Sequence, residues 1–239
     1  MRAIYLDNIN TNVEKISISG TSFHHLVNSV RIKVDENVLV LDGKGLLVHT
    51  SVTEISKREL QLQIIKSETK EKKEFCTLAI GITDRIAMEE IIRLGTEIGF
   101  DSIQPIITEY SKNKMIKQER INKIIISAMI QSNNPFFTNV LGPIHINQFL
   151  DIIDPKQVIC FSSQNTAEEH DQKRLIDIMK NQPTILIGPE GGFSKDEESE
   201  ISRRNIMKAH FEGNILRAQT AVSFTAGFIR LSQQYIEKD

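Results

Sequence analysis

The sequence lacks the features that mark several large protein classes. It has only two cysteines among 239 residues, Cys76 and Cys160, which is too few for a disulfide framework. No apolar run approaches the roughly 20 residues that a membrane-spanning helix needs. Residues 1–10 also lack the apolar core of a signal peptide. We therefore expect a cytoplasmic protein with reduced thiols, no membrane contact and no structural metal.

An excess of charge of one sign is also missing. The formal net charge is −2, from 29 basic and 31 acidic residues, which argues against a strongly basic nucleic-acid binder. Residues 1–73 differ slightly from the rest, since they carry 11 basic and 9 acidic side chains. This asymmetry is weak support for an RNA contact through the front of the chain.

The composition that is present is typical of a globular chain. Hydrophobic residues make up 40% of the sequence and charged residues 25%, and the length suits one large or two modest domains. Short β-rich segments at residues 15–19, 38–41, 46–52 and 59–65 predict a small barrel or sandwich. The Asp-Gly turn at residues 42–45 predicts a hairpin between two of these strands.

A polar run of mixed charge at residues 66–74 predicts an interdomain linker, with domains at residues 1–70 and 74–239. Beyond the linker, strand and helix patterns alternate, which predicts a parallel sheet covered by helices. The alternating segments are residues 77–82, 85–99, 102–107 and 118–131.

Two glycine-bearing turns near the C-terminus are the most informative feature of the chain. Residues 184–187 predict a buried strand that breaks at Gly-Pro, and Ser194 with Glu197 forms an S-x-x-E capping box that predicts a helix start. A second turn at residues 211–221 leads into a long apolar helix. Glycines in these turns let a ligand approach the main chain, although a lone turn of this kind is often only a tight connection.

The pair of turns resembles a known family. Residues 187–194, IGPEGGFS, and residues 213–221, GNILRAQTA, are similar to the bacterial 16S ribosomal RNA uridine N3-methyltransferases of the SPOUT superfamily. The resemblance implies an α/β domain with a parallel sheet and a trefoil knot, in which these loops hold S-adenosylmethionine. It also implies an N-terminal PUA-like β-barrel, a homodimer as the active unit, and the small ribosomal subunit as partner.

The resemblance, together with the rule that ligands lie beyond the carboxyl ends of parallel strands, gives the candidate cofactor-binding residues. They are Phe161, Ser162, Ile187, Gly188, Glu190, Gly191, Gly192, Gly213, Ile215, Leu216, Arg217, Thr220 and Ala221.

Contacts to RNA are expected in both parts of the chain. Residues 24–31, HHLVNSVR, predict a short helix and are similar to a His-His-Leu stretch ending in arginine in the family's N-terminal domain. The candidate substrate contacts are His25, Arg31 and Lys112. The two histidines also fit a polar helix start with no chemical role, because a metal site would need a third ligand at suitable spacing.

Arg217 and Glu190 are the candidate catalytic residues. Uracil N3 is a weak acid, so a fixed positive charge near it would stabilise the deprotonated base, and Arg217 is always charged. Glu190 is placed to accept the proton or to balance the sulfonium charge. Two other interpretations stand beside these: Arg217 as an ion-pair partner of Glu190, and Glu190 as a cap of turn amides.

The chain departs from the family pattern at two places. Gln219 stands where family members commonly have an acidic residue, and an amide cannot act as a general base. Asn133 and Asn134 stand where a basic substrate contact is usual, and stacking by Phe136 or Phe137 is a possible replacement. The alternatives to a uridine N3-methyltransferase are therefore a cofactor-binding RNA module with little catalysis and a methyltransferase for another RNA site.

Overall fold

The computed structural model describes residues 2–112, 116–161, 172–210 and 213–236. The chain divides into two compact units. The first comprises Met1–Lys73 and Ile126–Phe137, and the second comprises Glu74–Ile125 and Thr138–Asp239. The domain bounds given in the sequence analysis, residues 1–70 and 74–239, stay a prediction.

The first unit is built on a five-stranded sheet with the order β1-β3-β4-β5-β2. Its strands are β1 (Arg2–Tyr5), β2 (Lys15–Ser19), β3 (Asn37–Leu41), β4 (Leu46–Ile55) and β5 (Glu59–Thr69). Strand β1 runs parallel to β3, and the other pairs are antiparallel. Ile4 on one edge strand and Ile18 on the other share one buried core, so the sheet curls around it.

Between β2 and β3 the chain forms α1 (Gly20–His24) and a π-helical turn, His25–Ser29. Phe23 and Leu26 anchor these turns because their side chains are buried in the core of the sheet. The single short helix predicted at residues 24–31 is therefore two turns of different pitch, and it begins earlier.

The linker predicted at residues 66–74 begins too early. Strand β5 continues through Thr69, because Lys66 to Thr69 pair with residues of the long strand β4 and so gain backbone hydrogen bonds. Backbone hydrogen bonds do not depend on side-chain polarity. A strand whose exposed side chains are polar therefore has the same sequence pattern as a linker.

Residues Ile126–Phe137 pack within the first unit on the turn between β3 and β4. The amide of Gly45 donates to Pro135 O (3.0 Å), and the amide of Phe137 donates to Gly43 O (2.8 Å). A Cβ added at Gly45 would lie 2.8 Å from the Phe136 ring. Phe136 is thus a packing residue against this turn, which accounts for it without base stacking.

The second unit alternates strands and helices. Its elements are β6 (Thr77–Gly81), α2 (Arg85–Ile98), β7 (Ser102–Ile107), α3 (Gln118–Ser132, whose last turns belong to the first unit), β8 (Asn139–Val140), β9 (Ile144–His145), α4 (Ile146–Ile152), β10 (Val158–Phe161), α5 (Gln172–Lys180), β11 (Thr184–Ile187), α6 (Lys195–Arg203), β12 (Met207–Ala209) and α7 (Ala218–Ile236).

All pairs in the second sheet are parallel, in the order β12-β10-β11-β6-β7-β8, with β9 also pairing with β7. The central strands β10 and β11 are buried at every residue, as expected for a sheet covered on both faces. This confirms the predicted α/β fold with a parallel sheet. The trefoil knot stays a prediction, because strand order alone does not define how the chain threads.

The helices begin and end where the sequence offers caps. Asp84 accepts hydrogen bonds from the amides of Ile86 and Ala87 at the start of α2, and Gly99 ends that helix with a φ of 92°. Within the described ranges, no helix is long and apolar enough to cross a membrane.

Candidate active site

Five strands of the second sheet deliver their loops to one edge. Because β6, β7, β10, β11 and β12 are mutually parallel, their carboxyl ends lie on the same side. Ligands of open α/β sheets bind at this edge. The loops after β11 and β12 contain the two glycine-bearing turns.

The first turn follows β11 directly. The amide of Gly192 donates to Pro189 O (2.9 Å), and Gly192 has a φ of 72°, in the left-handed region that favours glycine. A Cβ added at Gly188 would lie 3.2 Å from backbone atoms of Gly192, so the turn closes tightly on itself. Pro189 is buried in its centre.

Ser194 and Glu197 form the predicted capping box at the start of α6. The Ser194 side chain accepts from the Glu197 amide (3.4 Å), and Oε2 of Glu197 accepts from the Ser194 amide (2.8 Å). Oε1 of Glu197 accepts in addition from the amide of Glu109, in the loop after β7 (2.8 Å). A single carboxylate therefore joins α6, the first turn and that loop.

The second turn leads into α7. Gly213 has a φ of 137°, which favours glycine, and the amide of Ala221 donates to Arg217 O (2.9 Å), so helical bonding begins at Arg217. Ile215 is 85% exposed and Leu216 is 40% exposed. The second turn thus exposes these two apolar side chains instead of burying them.

The structure brings both turns to one cleft of about 350 Å³, a volume in the range of small-molecule sites. Gly188 of the first turn and Gly213 of the second both line it. The lining residues are Phe161, Ile187, Gly188, Pro189, Glu190, Gly191, Gly192, Phe193, Glu198, His210, Gly213, Asn214, Ile215, Leu216, Ala218, Ala221 and Thr225.

Ten of the predicted cofactor-binding residues are among these lining residues. Arg217 and Thr220 are not: both are exposed, Arg217 between two residues that line the cleft and Thr220 in the first turn of α7. Ser162 lies outside the described residues.

The two candidate catalytic side chains do not pair with each other. Among the residues that the structure describes, Arg217 makes no side-chain hydrogen bond or ion pair, so the ion-pair interpretation with Glu190 is not observed. Glu190 is exposed, and its Oε1 accepts a long hydrogen bond (3.5 Å) from the amide of Asp84, in the loop after β6. The carboxylate keeps acceptor capacity toward the cleft.

Glu198, His210 and Thr225 line the cleft although the sequence analysis missed them. Glu198 lies four residues after the Ser194 cap, and Thr225 lies one helical turn after Ala221, so helical spacing from the predicted residues would have indicated both. His210 follows β12, a three-residue strand that the sequence analysis did not find.

Gly81 is a further residue that the sequence analysis missed. It ends β6, and a Cβ added there would lie 2.3 Å from Cδ and 2.5 Å from N of Pro189. No side chain larger than hydrogen fits between the strand and the first turn. Gly81 therefore sets the position of the turn without touching the cleft.

The three candidate RNA contacts are exposed. His25 begins the π-helical turn, and Arg31 follows it with a φ of 54°, an uncommon conformation for a non-glycine residue. Lys112 lies in the loop after β7, where its amide donates to Ile82 O (3.0 Å). His25 and Arg31 belong to the first unit, and Lys112 belongs to the second.

The cleft offers apolar walls, open backbone and carboxylates. Gly192 and Gly213 have no heavy atom within 4 Å of an added Cβ, so their main chain faces open space. Ile187 and Phe161 are buried apolar residues of the cleft lining, and Glu190 and Glu198 add carboxylates to it. This combination of apolar walls and carboxylates suits an amphipathic, positively charged ligand. In the described part of the chain, no group of three or more His, Cys, Asp or Glu could hold a metal ion.

The fold and the cleft define an α/β protein with a ligand site at the carboxyl edge of a parallel sheet and a separate β unit. Two family models match it: an RNA methyltransferase domain over residues 70–230 and an RNA methyltransferase PUA domain over residues 18–65. The chain therefore belongs to the RNA methyltransferase family that these two domains define.

Similar proteins include two named "Ribosomal RNA small subunit methyltransferase E". The one from Rickettsia conorii is 28% identical over 244 residues, covering 98% of this chain and 97% of the relative. The one from Aquifex aeolicus is 28% identical over 198 residues, covering 80% and 84%. A crystal structure of the Neisseria gonorrhoeae protein of the same name, bound to S-adenosyl methionine, has a TM-score of 0.82 at 23% identity and covers 97% of each chain. That likeness confirms the fold.

Proposed function

We propose that this chain methylates N3 of a uridine in 16S ribosomal RNA, with S-adenosylmethionine as the methyl donor. The observation that carries the proposal is the single cleft formed by the two glycine-bearing turns, in a chain whose relatives are named for small-subunit ribosomal RNA. The solved Neisseria structure, described as bound to S-adenosyl methionine, supports the choice of cofactor.

The cofactor would be held by the ten predicted residues that line the cleft. Backbone at Gly192 and Gly213 allows close approach, since nothing lies within 4 Å of the position that a side-chain Cβ would take there. Ile187 and the other apolar walls would bury uncharged parts of the ligand. When bound, S-adenosylmethionine supplies an electrophilic methyl group on a positively charged sulfur.

Glu190 would take the N3 proton of the uracil. N3 becomes a nucleophile when its proton leaves, and an exposed carboxylate at the cleft can accept that proton if the base is presented within hydrogen-bond reach. Gln219 cannot substitute for it, because an amide is not a base at neutral pH. The Asp84 amide would hold the Glu190 carboxylate in place.

Arg217 would stabilise the negative charge that develops on the uracil. Its guanidinium is exposed beside the cleft and makes no ion pair with a described residue, so its charge is available to a substrate. Fixed positive charge where charge develops contributes strongly to catalysis.

Residues 1–70 would form the PUA-like RNA-binding domain and residues 74–239 the catalytic domain. His25 and Arg31 on the first and Lys112 on the second are the proposed RNA contacts. The protein would act in the cytoplasm. Its active unit would be a homodimer, since α7 exposes Phe224, Phe228 and Leu231 on one face. The exposed apolar surface suits an interface between copies.

A single-turnover assay with labelled cofactor tests the function. Label should pass from the cofactor to small ribosomal subunits purified from a strain that lacks the modification, and mass spectrometry of the RNA should place it on N3 of one uridine. Cofactor binding without transfer would support the RNA-binding module instead, and label in another RNA would support a different target.

Substitutions separate the roles of the two catalytic candidates. Arg217→Ala should abolish measurable transfer while leaving cofactor affinity within a few-fold of the unsubstituted protein, because Arg217 does not line the cleft. Glu190→Gln should slow transfer roughly 100-fold or more, because the amide cannot accept a proton. Arg203→Ala is the matched control, because Arg203 is exposed on α6, where it pairs with Glu200. Unchanged transfer in Arg217→Ala would remove Arg217 from the mechanism.

A further inference from the structure

Tyr110 is an aromatic residue that packs on Gly191, which lines the cleft, and that the mechanism above does not use. It lies in the loop after β7 and is 48% exposed. Its Cβ, Cγ and Cδ2 lie 3.0, 3.2 and 3.3 Å from the position that a Cβ at Gly191 would take. Since Gly191 lines the cleft, the ring is seated directly against the first turn.

Hydrogen bonds within and around the loop hold Tyr110 in place. The amide of Thr108 donates to Oγ of Ser111 (3.0 Å), and the amide of Ser111 donates to Thr108 O (3.2 Å). Ser111 Oγ also donates to Ile106 O (3.2 Å), in β7. The residues on either side of Tyr110 are therefore fixed relative to the sheet.

Glu197 fixes the same loop from the other side. Its Oε1 accepts from the amide of Glu109, next to Tyr110, while its Oε2 accepts from the amide of Ser194 at the end of the first turn, both at 2.8 Å. One carboxylate thus ties the backbone next to Tyr110 to the first turn. Hydrogen bonds of this kind pre-organise the loop that carries the ring.

The Tyr110 ring packs on Gly191 and remains half-exposed. In the described part of the chain, its hydroxyl has no hydrogen-bond partner and its ring stacks on no other ring. The exposed part of the ring is therefore available to a ligand. Proteins that bind unpaired bases use aromatic faces in this manner.

The proposed reaction requires an unpaired base. N3 of uracil lies on its Watson–Crick edge, so a paired base cannot be methylated there, and the target must leave its stack at a cost of a few kcal/mol. We infer that Tyr110 stacks on the target uracil, or on its immediate neighbour, when that base is presented to the cleft. This inference rests on the proposed function. It assigns to Tyr110 the role of holding the base in position.

Steady-state kinetics with Tyr110→Ala and Tyr110→Phe test the role. Loss of one base–aromatic stack corresponds to roughly a 5- to 150-fold change in affinity. The Ala variant should raise KM for RNA by a factor in that range and leave the dissociation constant of S-adenosylmethionine within twofold. The Phe variant should restore KM, because the ring and not the hydroxyl is used. Equal KM values in all three proteins would overturn the inference.

Photocrosslinking gives a readout independent of transfer. A small-subunit RNA fragment substituted throughout with 4-thiouridine should crosslink to Tyr110, as mapped by mass spectrometry of the peptides. Crosslinks confined to other segments would overturn the inference even if methylation proceeds. A protein that crosslinks at Tyr110 but transfers no methyl group would retain the stacking role while the proposed function fails.

Discussion

At the residue scale, the position of the first turn depends on Gly81. This residue ends β6, and Pro189 of the turn lies where a Cβ would otherwise stand. Two kinds of glycine therefore build the cleft. Gly192 and Gly213 supply positive φ, whereas Gly81 and Gly188 supply close approach.

Gly81→Ala should displace the first turn. The added methyl group would lie 2.3 Å from Pro189 Cδ, so either the turn or the strand must move, at a cost of about 2 kcal/mol in the free energy of unfolding. Affinity for S-adenosylmethionine should fall with it, as calorimetry would measure. Gly142→Ala is the control, since nothing lies within 4 Å of its added Cβ. Wild-type affinity in Gly81→Ala would contradict the packing argument.

The two thiols should be unreactive in the folded protein. Burial raises the pKa of Cys160 to about 12 and that of Cys76 well above its usual value, and both side chains are inaccessible. A raised pKa means that the folded protein favours the neutral thiol. The contribution of each buried thiol to the stability of the fold is therefore complete below the unfolded pKa of about 8.5 and is lost as pH rises toward 12.

A thiol-reactive chromogen at pH 8 should therefore detect almost no cysteine in the native protein and two per chain in denaturant. Rapid labelling of one thiol under native conditions would show that β6 or β10 opens locally.

At the element scale, the start of α6 connects fold and site. Ser194→Ala removes the side-chain cap and should lower the free energy of unfolding by about 1 kcal/mol, measured by urea denaturation. Ser199→Ala serves as control, because its hydroxyl bonds only to Lys195 O within the same helix. An equal loss in both variants would mean that the cap contributes nothing specific.

Arg230 helps to hold helix α7 against α2. Cζ of Arg230 lies 3.6 Å from the centroid of the Phe75 ring, and its guanidinium donates to Ile98 O (2.9 Å) at the end of α2. Arg230→Gln should cost about 1–3 kcal/mol in the free energy of unfolding. Arg93→Gln should cost less than about 1 kcal/mol, since Arg93 only forms exposed pairs on α2. A reversed order would refute this view of how α7 is held.

Short buried strands were the easiest elements to predict from the sequence. β7 and β11 have the bounds predicted from their apolar runs, because turn residues flank each of them. The more exposed strand β2 also has its predicted bounds, residues 15–19. β1, α4 and β12 were missed. β12 has only three residues, Met207–Ala209, and is defined by pairing with β10, which is a long-range contact that no local pattern records.

The same distinction applies to the cleft. The sequence predicted Gly188, Gly191, Gly192 and Gly213 as site residues because they lie in turns that lead into helices. Gly81 and His210 were not visible, since each acts through a partner distant in the chain. No local pattern in the sequence predicts the contact of Tyr110 with Gly191, because it follows from the packing of one loop on another.

At the scale of the whole molecule, the two units have separate cores, and the described part of α7 leaves apolar side chains at the surface. Phe224 is 53% exposed, Phe228 37% and Leu231 56%. Their spacing of four and three residues puts them on one face of the helix. A monomer with this surface would expose a patch that soluble proteins usually cover.

Leu231→Glu should therefore convert the proposed dimer into a monomer. A charge on this face would be desolvated by association, at a cost large enough to shift the equilibrium. Sedimentation should show a dimer for the unsubstituted protein and a monomer for the variant, and methyl transfer should fall with dimer content. Ile152→Glu is the matched control: Ile152 is 76% exposed at the end of α4, so its charge should leave the dimer intact. A monomeric unsubstituted protein that is fully active would mean that the α7 face serves something other than a second copy of the chain.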